Sequence, residues 1–159
     1  MQSQVLSVQV AVEPDLSAWI RFLRAHAAVT RELSTRLETQ HGLSLRDYDV
    51  LVQLYWAPEH RMRRVDIART VILSPSGITR LLDGLERAGW VGKAACASDA
   101  RVTWAVLTAA GLAKFEAARA THHADIEELF ASRFDEAERD RLAELLGRLP
   151  LADAGPCGE

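Results

Sequence analysis

The sequence predicts a mainly α-helical fold: a winged helix-turn-helix with a small β-hairpin wing, flanked by N- and C-terminal dimerisation helices. Three observations carry that reading. Val65, Ile67, Ala68 and Val71 mark a short apolar helix just ahead of a second one. The second helix, within residues 74–89, has Ile78, Leu81, Leu82 and Leu85 at i, i+3, i+4, i+7, a single buried stripe. Residues 90–107 then read as a ribbon, with Val102, Trp104 and Val106 alternating with Thr103, Ala105 and Leu107. Helix, turn, helix and hairpin in that order place one helix in a DNA major groove and a loop beside it.

The elements follow in chain order. Residues 15–40 form a long helix with Trp19, Phe22, Leu23, His26, Val29, Leu33 and Leu37 along one side. Ser44 opens the next helix, with Asp47 placed for a capping box and Leu45, Tyr48, Leu51, Leu54 and Tyr55 inward; Pro58 closes it. In the reading helix Ser74 is the N-cap, Pro75 occupies the first turn where its missing N–H costs nothing, and Gly89 is the stop. The wing's first strand is short, about residues 90–93, and its tip, 94–100, is small and flexible. Thr108 begins a long helix with Leu112, Phe115, Ile126, Leu129 and Phe130 apolar. Asp135 and Glu138 cap the last helix, Leu142, Leu145, Leu146 and Leu149 form its stripe, and Pro150 ends it. The predicted layout is an N-terminal extension (1–14), one winged-helix domain (15–150) and a flexible tail (151–159). Within the domain, 44–107 form the DNA-binding lobe, and 15–43 and 108–150 the dimerisation helices.

Candidate DNA contacts come from the polar face of the reading helix and from the wing. Ser76, Thr79, Arg80, Asp83 and Arg87 lie opposite the apolar stripe. Ser74 stands at the helix start, and Gly77 lets the backbone approach closely. Lys93 lies on the wing. Arg101, just past its tip, is placed to enter a narrow minor groove, with Asp99 two residues earlier bracing it.

Charge supports that footprint. The chain carries -3 in all. Between Glu59 and Arg101, eight Lys and Arg face five Asp and Glu, a net +3, which leaves -6 for the remainder. A basic head on an acidic body suits a polyanion bound by one face. No apolar run is long enough to span a membrane and residues 1–13 have no signal-peptide pattern, so the chain is expected in the cytoplasm, associated with the nucleoid.

The run LSPSGITRLLDGLERAGWV, then SDAR, then VLTAAG, resembles the MarR family of bacterial transcription regulators, over about residues 17–150. The resemblance implies a homodimer that presents two winged helix-turn-helix units to a pseudo-palindromic operator on double-stranded DNA. It usually implies a repressor, often released by a small molecule or an oxidant. By position, Ser76, Thr79 and Arg80 match the family's major-groove contacts and Arg101 its wing arginine. Two features depart from the pattern. Ile72 stands where many relatives have Gly, so the turn is expected to lack a left-handed residue there. The wing is also poor in base, with Ala94 and Ala95 after Lys93.

Control is read more thinly. Trp19, His26, Tyr48 and Tyr55 are candidate ligand-binding residues for a small aromatic effector where the first helix crosses the domain. Cys96 at the wing tip offers an alternative, redox-sensing reading; the other cysteine, Cys157, is in the tail. Peroxide-sensing relatives carry a cysteine near the start of the first helix, and this chain has none there. A further alternative is a winged-helix module that binds protein, which Ser76, Thr79 and Arg80 oppose. None of the five histidines forms an H-x-x-x-H pair, and no Gly-rich phosphate loop or G-x-S-x-G elbow is present. No metal, cofactor or enzymatic activity is expected.

Overall fold

The structure, a computed structural model, describes residues 16–71, 75–95 and 102–149. The described residues form six α-helices: α1 (Ser17–His41), α2 (Leu45–Trp56), α3 (Arg64–Thr70), α4 (Pro75–Arg87), α5 (Ala109–Leu129) and α6 (Glu136–Leu146). Three strands, β1 (Arg61–Arg63), β2 (Val91–Ala95) and β3 (Thr103–Leu107), form an antiparallel sheet in the order β1-β3-β2. The mainly α winged-helix architecture is the one expected from the sequence.

Local chemistry sets most boundaries. The Ser44 hydroxyl accepts from the Asp47 N–H, and the Asp47 carboxylate accepts from the Ser44 N–H, so the capping box at α2 is complete. Asp135 and Glu138 make the same reciprocal pair at α6. Gly42 ends α1 with φ 62, and its N–H returns to the Glu38 and Leu37 carbonyls. After α4, Gly89 takes φ 76 and the Trp90 N–H reaches the Leu85 carbonyl at 3.0 Å.

The core lies between α2, α4, α5 and the sheet. Leu43, Val50, Leu51, Leu54, Ile67, Leu82 and Ala105 are fully buried, and Leu37, Leu85 and Phe115 nearly so. Each large side chain here contributes roughly 1.5–3 kcal/mol of burial free energy. The stripe of α4 closes this core through Ile78, Leu82 and Leu85, with Leu81 at its half-buried margin. The first turn of α5 is wedged against the lobe. Thr108 caps it by accepting from the Gly111 N–H, while the same hydroxyl donates to the Gly89 carbonyl at 2.7 Å. A Cβ on Gly111 would stand 1.9 Å from the Trp90 carbonyl oxygen, so no other residue fits without a backbone shift.

The structure departs from these expectations at the wing and at the last helix. The wing is part of a three-stranded sheet, because 61–63 bulge out of the turn after α2 and pair with β3, Arg61 opposite Val106. Its first strand extends to Ala95 rather than stopping near 93, since Ala94 and Ala95 still find partners in Trp104 and Thr103. In β3 it is Ala105 and Leu107 that are buried, while Trp104 and Val106 face the half-exposed side. The last helix ends at Leu146, with Gly147 as its C-cap, so Leu149 falls beyond the helix. Ile72, Pro150 and the tail lie outside the described residues.

Candidate nucleic-acid interface

Helices α3 and α4 make the helix-turn-helix, and the β2–β3 ribbon stands beside α4. The apolar stripe of α4 turns into the core, which forces the opposite face outward. Thr79, Arg80 and Arg87 are exposed there, and Gly77 is half-buried on the first turn. Arg87 donates through Nε to the Asp83 carbonyl at 3.2 Å, which holds its guanidinium along the helix. Ser76 falls in the first turn of α4, its side chain outside the description. Ser74, Asp99, Arg101 and the wing-tip Cys96 also lie outside the described residues. Thus Gly77, Thr79, Arg80 and Arg87 share one helix, and Lys93 stands on the adjoining strand.

The charges around this face are more organised than sequence spacing shows. Glu86, only 15% exposed at its side chain, accepts from Arg64 Nη2 at 2.6 Å and lies 2.7 Å from Lys93 Nζ. Asp83 flanks the same two cations at 3.6 and 4.0 Å. Arg63 pairs with Asp66 at 2.6 Å, and Arg61 pairs with Glu59 while lying over the Trp104 ring. Arg80 makes no ion pair among the described residues. In the sequence Glu86 is one of the five acids between residues 59 and 101. Its bond to Arg64 spans 22 residues, so no local spacing reveals it.

The four aromatic candidates for an effector do not meet. Trp19 and His26 flank Phe22 on the exposed half of α1, each ring 6.2 Å from it. They line an open apolar groove of about 700 Å³ with Val29, Phe130 and Leu145. Tyr48 and Tyr55 pack instead on Phe115 inside the lobe, at 5.5 and 4.7 Å. Tyr48 is buried, which pushes its phenol up to about 12. A separate cleft of about 520 Å³ runs between α1 and α2, lined by His26, Thr30, Arg31, Ser44, Arg46 and Asp49. Among the described residues no three His, Cys, Asp or Glu side chains gather as a metal site, and no helix is long and apolar enough to cross a membrane.

The α3–α4 pair, the outward polar face of α4 and the flanking ribbon define a winged helix-turn-helix protein. Residues 43–103 match the model of the MarR family. The chain is 32% identical over 108 residues to the transcriptional repressor YetL of Bacillus subtilis (strain 168), covering 68% of this chain and 64% of YetL. It therefore spans slightly under two thirds of that relative's length. It is 31% identical over 113 residues to the regulator PecS of Dickeya dadantii (strain 3937), covering 70% of this chain and 67% of PecS. Among solved structures, AbsC of Streptomyces coelicolor, a MarR family regulator, superposes with a TM-score of 0.80 at 28% identity, covering 87% of this chain and 93% of AbsC. CouR of Rhodococcus jostii RHA1, bound to p-coumaroyl-CoA, gives 0.72 at 27% identity, covering 87% and 98%. This chain belongs to the MarR family.

Proposed function

We propose that the protein is a transcriptional regulator, a repressor, that binds a pseudo-palindromic site on double-stranded DNA as a homodimer. The observation that carries this is the outward face of α4, where Thr79 and Arg80 stand exposed beside the ribbon while the opposite face closes the core. Arg80 is the base-reading residue of this proposal, because a guanidinium matches the O6 and N7 acceptors of guanine in the major groove. Thr79 and Ser76 make neighbouring base or phosphate contacts, Ser74, Gly77 and Arg87 approach the backbone, and Arg101, braced by Asp99, enters the minor groove. The repressor name of YetL supports the sign of regulation.

Residues 44–107 are the reading lobe of this proposal, and 15–43 with 108–150 the dimerisation helices. Trp19, Phe22 and Leu23 of α1 and Leu145 of α6 are exposed in the single chain, at 55%, 40%, 42% and 42%. An apolar surface of that kind calls for a partner face, and a second copy supplies it. For the effector, a small aromatic acid is favoured. The α1–α2 cleft offers His26 beside Arg31 and Arg46, and the CouR structure holds an aromatic acyl thioester. A ligand there acts only by preferring a spacing of the reading helices that does not fit DNA.

The test is selection of genomic fragments on the purified protein, followed by footprinting. The expected result is a protected site with two-fold symmetry whose half-sites lie about 34–36 Å apart. Fragments recovered in proportion to their input would overturn the reading.

A further inference from the structure

The cations of the lobe are not all available to DNA. Glu86 sits near the C-terminal end of α4 and holds one cation from α3 and another from the wing. Its carboxylate is largely withdrawn from solvent, while Lys93 is half exposed on β2, which pairs with β3. Arg64 is fixed more deeply: its side chain is 23% exposed, and its Nε is buried with no acceptor among the described residues. A half-exposed lysine pair contributes little to stability. What it does change is the field on the DNA-facing side, where one carboxylate cancels a wing cation and repels phosphate.

We propose that Glu86 sets how strongly the lobe binds DNA of any sequence. By pairing with Lys93 it withholds that cation from the phosphate backbone and ties the wing to the reading helix. Phosphate attraction is sequence-independent, so a cation withheld from it weakens binding to every duplex alike and leaves discrimination to the base contacts. Lys93 is then a strap between β2 and α4 rather than a DNA contact. Arg64 stays in place by burial when Glu86 is neutralised, and half-exposed Asp83, 4.0 Å from Lys93 Nζ, holds that lysine only weakly, so one cation per subunit is at stake.

This rests on the DNA-binding reading above, and the test separates the two. Full-length protein is titrated against its selected duplex and against a shuffled duplex of the same composition, over roughly 50–200 mM salt. Glu86→Gln is expected to steepen the dependence of log affinity on log salt by about one unit per subunit. It should also tighten binding to the selected and the shuffled duplex alike, with their affinity ratio changed less than about twofold. Adding Lys93→Gln to that variant should return the slope to the wild-type value. Lys93→Gln alone should flatten the slope by well under one unit, and it keeps the test open if Glu86→Gln folds poorly. An unchanged slope in Glu86→Gln, a steeper slope that persists in the double variant, or a full unit lost in Lys93→Gln alone would each overturn the inference. No wild-type binding to either duplex would overturn the DNA-binding reading and the inference with it.

Discussion

The two ends of α5 lie in opposite surroundings. At its N-terminus, Gly111 is pressed against the Trp90 carbonyl, and Phe115 and Ala118 are sealed in the core. Past its C-terminus, Phe130 is 39% exposed, and no residue of α6 is buried. One chain therefore completes the lobe around α2, α4 and the sheet, but leaves the α1–α6 end open. The lobe's geometry is set by side chains within a single subunit. In the proposed dimer a second copy finishes the open end, so the spacing of the two lobes would depend on that contact.

That contrast is broken or sharpened by four measurements. The largest effect is expected in the closed lobe. Leu82 is fully buried, so Leu82→Ala should cost about 2–5 kcal/mol in denaturant unfolding; a loss below about 1 kcal/mol would mean that the lobe is not the closed core described. At the open end, Phe22→Ala should raise the dimer dissociation constant roughly thirtyfold, about 2 kcal/mol, by sedimentation equilibrium. Unfolding measured well above that constant should change little. Unchanged association would remove Phe22 from the interface and weaken the comparison.

A smaller effect is expected at the entrance to the lobe. Ser44→Ala removes one half of a complete capping box and should cost about 1 kcal/mol of unfolding free energy. The smallest concerns His122, which is buried against the Tyr48 ring at 4.5 Å with no hydrogen-bond partner at its Nδ1 among the described residues. Desolvation, with neighbouring His123, lowers its pKa below 6.5, and Asp125 opposes that shift only in part. Below 6.5 the unfolded chain binds this proton and the folded one resists it, so stability should fall as pH drops from 6.5 through the lowered pKa. His122→Gln should flatten that part of the unfolding profile; an identical slope in the variant would assign the pH dependence elsewhere.

Much of the lobe was legible because its signals are local. The Ile78, Leu82 and Leu85 stripe, the Ser44–Asp47 and Asp135–Glu138 boxes and the Gly89 stop each lie within a few turns of chain, where helical periodicity and backbone hydrogen bonding decide the outcome. The features that stayed hidden depend on distant partners. Arg61–Arg63 has no alternation of its own and becomes a strand only because β3 offers it an edge. Glu86 reads as one more surface acid until folding brings Arg64 and Lys93 to it. Trp19 and Tyr48 were correctly placed on helices, yet periodicity states a face and not a position along the axis, so it joined two aromatic groups that the fold keeps apart.

The central claim is that the exposed face of α4 reads base sequence. Its most direct test is the titration of wild type and Arg80→Ala against the selected duplex and a series with single base pairs replaced in each half-site. The account predicts that Arg80→Ala costs about 1–3 kcal/mol on the selected duplex and loses discrimination at one base position per half-site. An equal loss of affinity on every duplex in the series would reduce Arg80 to a phosphate contact and contradict the claim.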